Sequence, residues 1–115
     1  MKKAVIVKTT GEKSVVEFNN ETSYSVLSGA VGGYIQPVWL AERGVEMWVN
    51  EEGKINSLEQ NPYGTALWVE AYGLTDVMVG DIILTGGTDH NGYTLGLKQS
   101  QVDDLLAYEG FTVVL

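Results

Sequence analysis

The sequence predicts an α+β fold: a mostly antiparallel sheet with about three short helices, forming one compact domain over residues 1–115. Three observations carry that reading. Short β-branched runs such as KAVIVK and SVVEFN are rich in strand formers. The links between neighbouring runs, Thr10-Gly11-Glu12-Lys13 and Ala41-Glu42-Arg43-Gly44, are too short for the crossovers that parallel strands require. Between them, segments switch to a helical period and stop at glycine.

The elements run in order. KAVIVK, residues 3–8, places four consecutive apolar residues between charges, the pattern of a strand covered on both faces. The turn at 10–13 returns the chain through SVVEFN as a hairpin. From Glu21 to Gly33, Tyr24, Leu27, Ala30 and Val31 share one helical face, with Thr22 or Ser23 as cap and Gly32-Gly33 as the stop. Two strands come next, YIQPVWL and VEMWVN. Pro37 cannot donate to a ladder, so the first lies at an edge or bulges there. In the second, Val45, Met47 and Val49 share one face and Glu46, Trp48 and Asn50 the other, which puts Trp48 on the more polar side.

Asn61-Pro62 starts a helix that ends at Gly73, because Asn can cap free amides and proline at the first helical position forfeits no bond. VMVGDIILT is a further strand, or a bent pair around Gly80. In TGGTDHNGY, Asn91-Gly92 supplies the positive φ angles of a hairpin turn. A last helix turns Val102, Leu105 and Leu106 inward, capped by Ser100 with Asp103 three residues on, and ends at Gly110 before a final strand, FTVVL.

Composition narrows the function classes. A chain of 115 residues, 44% hydrophobic, has the material for one core that hides roughly two thirds of its unfolded surface. With no cysteine, disulfides, thiolate zinc sites and cysteine nucleophiles are excluded, which suits a cytoplasmic protein. The apolar run after Lys2-Lys3 ends at Lys8, short of the about 7–15 residues of a signal core, and no segment approaches the ~20 of a membrane span, so no membrane association is expected. Net charge is −8, from 15 acids against 7 bases. A single arginine and scattered lysines cannot release counterions from a phosphate backbone, so direct nucleic-acid binding is not expected. The acids are too dispersed to make a strong DNA mimic.

The catalytic inventory is thin and implies no enzyme, cofactor or metal. His90 is the only histidine, and a lone loop histidine is usually solvated. No nucleophile elbow, phosphate loop or calcium loop is present. Glu51 and Glu52 are neighbours on a turn and point apart more often than together. Followed by Gly53 and Lys54, they read as a solvated turn with Gly53 left-handed, or as a recognition loop on rigid strands. Gly32-Gly33 comes after a helix and so makes no anion site, whereas the amides after Asn61, near Gly64 and Thr65, do. Tyr34, Trp48 and other aromatics crowd between residues 34 and 72. Most such rings are core, but Trp48 beside Glu46 and Asn50 offers a partner anchor.

VGGYIQPVWL, VEMWVNEEGKI, Asn61 with Ala66, Gly80-Asp81 ahead of IIL, and Gln101-Val102 together resemble an uncharacterised family, domain of unknown function thirty-eight forty-six, over nearly the whole chain. The chain departs from that pattern at Lys98, where a hydroxyl cap is usual, and in FTVVL. The resemblance implies a bacteriophage or mobile-element setting and no catalytic residue. The resulting expectation is a small non-enzymatic accessory protein, counter-defence in role, that binds a host protein. The residues that would carry binding are Tyr34, Trp48, Asn50, Glu51, Glu52, Lys54, Asn61 and Thr65. Two alternatives stand beside it. One is a nucleotide-signal sink that stacks the base on aromatics and holds phosphate on the amides from Asn61 to Thr65. The other is a structural homodimer formed through the open edge of the terminal strand FTVVL.

Overall fold

Four side chains in a row, Ile82, Ile83, Leu84 and Thr85, are wholly buried, and their strand is the middle of the molecule. The computed structural model describes residues 1–110. Its elements are β1 (Lys2–Val7), β2 (Lys13–Phe18), α1 (Ser23–Val31), β3 (Ile35–Leu40), β4 (Val45–Asn50), α2 (Pro62–Tyr72), β5 (Ile82–Thr85) and α3 (Gln99–Ala107). The strands form one antiparallel sheet in the order β2-β1-β5-β4-β3, so β5 joins two hairpins made earlier in the chain. The α+β expectation is met. The expected final strand FTVVL lies outside the described residues.

Both faces of the sheet are covered, which explains why β1 and β5 read as continuous apolar runs. On one face α1 lays Leu27 and Val31 on Ala4, Phe18 and Ile83. On the other, Tyr63 and Leu67 of α2 and Val102 and Leu105 of α3 close over Val5, Val7, Met47 and Leu84. Among the described residues no helix is long and apolar enough to cross a membrane.

Several local expectations are corrected. Tyr24 does not join the buried stripe of α1; it is exposed, and Val26 packs beside Leu27 in its place. Thr22 holds the cap position without a capping side chain, and Asn19 Oδ1 accepts the amides of Glu21 and Thr22. Leu106 is partly exposed while Val102 and Leu105 are buried. Lys98, not Ser100, precedes α3, and Gln101 Oε1 accepts the Lys98 amide at 2.8 Å. A residue three positions into the helix therefore supplies a bond at the helix start that does not need a hydroxyl cap. Val79 forms only a single bridge, to Gln60, so VMVGDIILT is one strand after a bend at Gly80. In the hairpin of 88–94, Gly92 alone has positive φ (86°), and Asp89 carbonyl and carboxylate oxygens accept the amides of Gly92, Asn91 and Tyr93.

Candidate functional site

Asn50 ends β4 with its side chain buried, and it shapes the loop after it. Its Nδ2 donates to Val31 O at 3.1 Å, while its Oδ1 accepts the Glu52 amide at 2.8 Å and its carbonyl accepts that of Gly53 at 3.1 Å. The loop from Glu51 to Leu58 is thereby wound into turns, with Leu58 N donating to Gly53 O at 3.0 Å. Gly53 is not left-handed, contrary to expectation; Ser57 is (φ 54°). Gly53 is required for space, because a Cβ there would lie 2.8 Å from Val79 Cγ2.

That close approach sets the loop against the segment before β5 and leaves a cleft of about 310 Å³ between them. Val38 of β3, Val49 of β4 and Met78 give it apolar lining, and Trp68 of α2 supplies an aromatic side. Trp68 Nε1 donates to Thr75 Oγ1 at 2.9 Å and the ring rests 4.5 Å from that of Tyr72, so its orientation is set. At the mouth Lys54 Nζ is ion-paired to Asp76 Oδ1, across the gap from loop to segment. The Lys54 ammonium first, and the Val77 amide second, hold the Asp76 carboxyl below the usual range. Glu51 adds a second carboxylate to the rim, and Ile55 lies 82% exposed beside it.

The expected site residues divide sharply. Asn50, Glu51 and Lys54 line this cleft. Tyr34 is exposed next to it, its carbonyl accepting the Glu51 amide at 2.8 Å, and Glu52 is solvated on the outer side of the turn. Trp48 belongs to the opposite face. It packs into the α1 core, and its Nε1 donates to the buried Thr85 Oγ1 at 2.8 Å, so it offers no exposed anchor. Alternation along β4 does not reveal that the face carrying Glu46 and Asn50 is covered by a helix.

Asn61 and Thr65 are also spent internally. Asn61 is fully buried; its Nδ2 donates to Val7 O and Gly80 O, and its Oδ1 accepts the Gly64 amide, all at 3.0 Å. Thr65 Oγ1 accepts the Met78 amide at 3.0 Å, and the Asn61 amide donates to Met78 O at 2.9 Å. Both residues therefore hold Met78 in the cleft from behind, and the Gly64 amide is already capped. His90 is exposed on the 88–94 hairpin, which contributes nothing to the cleft. Among the described residues no group of three or more His, Asp or Glu is arranged to hold a metal ion. Sequence reasoning misses Trp68 and Asp76: the first is one aromatic among many, and the second meets Lys54 from 22 positions away.

No curated protein and no solved structure is significantly similar to this chain. The profile of one family, described as a domain of unknown function (DUF3846), matches residues 1–109. The match spans the two hairpins, all three helices and both sides of the cleft. The chain is a member of the DUF3846 family of domains of unknown function.

Proposed function

We propose that the protein is a small binding module, not a catalyst, that captures a segment of a partner protein in the cleft between the Glu51–Leu58 loop and Asp76–Val79. One observation carries this reading: a hollow of mixed polar and apolar lining, with Val38, Val49, Met78 and Trp68 inside it and two carboxylates and one ammonium, Glu51, Asp76 and Lys54, beside them, Lys54 already paired. At about 310 Å³ the hollow sits at the small end of ligand sites, the size for one large apolar side chain. The rim's excess negative charge, on a protein of net −8, favours a cation flanking that side chain and speeds encounter with basic surfaces. In the mobile-element setting that the resemblance implies, the partner is a host protein and the role an accessory, counter-defence one.

The nucleotide alternative fits these groups less well. A phosphate in the cleft would face Glu51 and Asp76, and the amides after Asn61 include one already capped.

The test is capture of bacterial host proteins on the tagged protein, run in parallel with Ile55→Asp and Val77→Asp, which alter exposed positions at the cleft and leave the core alone. A partner retained by the wild type and lost by both variants supports the reading. Truncating the matching anchor on that partner should weaken binding by ~2–4 kcal/mol. A partner held equally by the variants, or none retained by the wild type, overturns it. A stabilising shift in melting with a nucleotide panel would favour the alternative.

A further inference from the structure

The cleft lies beside β3, an edge of the sheet that is closed to a further strand. Glu51 N–H donates to Tyr34 O at 2.8 Å. Since hydrogen-bonded pairs alternate along an antiparallel ladder, Gln36, Val38 and Leu40 turn their backbone groups toward β4, and Ile35, Pro37 and Trp39 turn theirs outward. Pro37 has no amide proton to offer, and the Trp39 carbonyl accepts the Tyr72 hydroxyl. A segment crossing the cleft is therefore held through its side chains and not by joining the ladder.

The chemistry left for those side chains is one-sided. The polar groups of the lining are largely committed: Asn50 to Val31 O and the Glu52 amide, Trp68 Nε1 to Thr75 Oγ1, and Lys54 Nζ to Asp76 Oδ1. What remains is mostly acceptors. The Glu51 carboxylate is in no ion pair among the described residues. The Lys54 ammonium and the Val77 amide both bond Asp76 Oδ1, which leaves Oδ2. Lys54 offsets one of the two carboxylates, so the mouth keeps one negative charge. The same lining holds Val38, Val49, Met78 and Trp68, whose N–H is spent and whose ring is what it contributes.

We propose that the cleft is an arginine site: the partner segment is anchored by one arginine, its alkyl stem against Val38, Val49 and Met78 and its guanidinium at Trp68 and Glu51. This rests on the cleft being the partner site, and goes further by joining the apolar body and the cation in one side chain. A wholly apolar anchor would cover the carboxylates with hydrocarbon and strip their water without returning a hydrogen bond. A long basic side chain meets both halves of the lining, because its methylenes bury while its head stays at the mouth. Arginine suits the site better than lysine. Its planar guanidinium is weakly hydrated, stacks on indole rings and offers two parallel N–H groups to a carboxylate. Glu51 then determines specificity, as the carboxylate that Lys54 leaves uncompensated.

Nuclear magnetic resonance titration of the isotope-labelled 115-residue chain tests it, with four blocked tripeptides that set arginine, citrulline, lysine or leucine between glycines. Concentrations up to ~20 mM saturate a Kd of ~1 mM. The arginine peptide should shift the Trp68 indole and the Lys54 and Val77 amides, and the other three should bind more weakly. Citrulline keeps the shape and loses the charge, and should bind at least ~10-fold more weakly, the loss expected for one charge-assisted hydrogen bond. Glu51→Gln, at an exposed position, should abolish the preference for arginine over citrulline with leucine binding and melting temperature unchanged. Lys54→Ala leaves two uncompensated carboxylates at the mouth and should tighten arginine binding. Citrulline, lysine or leucine binding as tightly as arginine overturns the proposal while leaving the cleft a partner site, and so does an arginine preference that survives Glu51→Gln. Peptides that all leave the cleft resonances unmoved overturn it too, and the reading it rests on then stands or falls on the capture experiment.

Discussion

The two ends of α2 carry similar chemistry and have opposite fates. At the first turn, Asn61, Tyr63 and Thr65 bring an amide, a phenol and a hydroxyl; at the last, Trp68 and Tyr72, with Thr75 just beyond, bring an indole, a phenol and a hydroxyl. The first set is turned inward and each polar atom is committed to backbone: Asn61 to Val7, Gly80 and Gly64, Tyr63 to Leu105 at 2.7 Å, Thr65 to Met78. The second set is tied mainly to itself and leaves an indole lining an open cleft. Residue type does not separate scaffold from site here. What separates them is whether the donors and acceptors are already satisfied inside the fold.

The sharpest way to break that contrast is at Asn61. Replacement by alanine strips the Val7 and Gly80 carbonyls and the Gly64 amide of their partner at a position with no solvent access. At ~1–3 kcal/mol for each buried group left unsatisfied, and with a helix cap lost, the expected destabilisation is ~4 kcal/mol in urea unfolding. The corresponding replacement at the other end of the helix, Tyr72→Phe, touches an exposed ring and should cost under ~1 kcal/mol. Equal costs would mean that the helix ends are not differentiated in the way described.

Legibility in the sequence divides along the same line. Signals local to a few residues hold: Asn61-Pro62 as a helix start, Gly32 as a left-handed stop (φ 77°), Pro37 on an edge strand. Signals that depend on what covers a face fail. Trp48 alternates with Glu46 and Asn50 and so reads as wet, but α1 covers that side and both Trp48 and Asn50 turn to internal bonds. Lys54 stands out in its turn, yet its partner Asp76 does not, because no spacing rule connects a turn after β4 to a loop after α2. Thr65 reads as a ligand contact and instead positions Met78.

A smaller effect probes the same first turn through pH. Burial pushes the Tyr63 phenol upward from its usual value, since the charged form would lose its hydration. The unfolded chain ionises this tyrosine near pH ~10 and the folded chain resists doing so. Its contribution is therefore fully present below pH ~10 and is lost as pH rises from there toward the folded value. Tyr63→Phe should cost ~1 kcal/mol at neutral pH through the lost bond to Leu105 and should flatten the alkaline decline in stability. An alkaline slope unchanged in the variant would assign that decline to other groups.

The smallest expected effect on stability is at the cleft mouth, and there the comparison is at its most useful. Lys54 and Asp76 are both substantially solvated, so solvent screens their attraction, and Lys54→Ala should change unfolding free energy by no more than ~0.5 kcal/mol. The pair nevertheless spans the entrance, and the ammonium keeps Asp76 ionised below the usual carboxylate range. Because the folded value is the lower one, the pair's contribution is intact above pH ~4, where an unperturbed aspartate is charged, and fades as pH falls further. Loosening the loop should then alter the surroundings of Trp68, which lines the same cleft. An acid-side change in tryptophan emission that precedes global unfolding, present in the wild type and in Trp48→Phe but lost in Trp68→Phe and in Asp76→Asn, would identify the cleft as the part of the fold that moves independently. If emission and unfolding coincide in every variant, the cleft is as rigid as the Asn61 end, and the partner segment proposed for it would have to fit it as it stands.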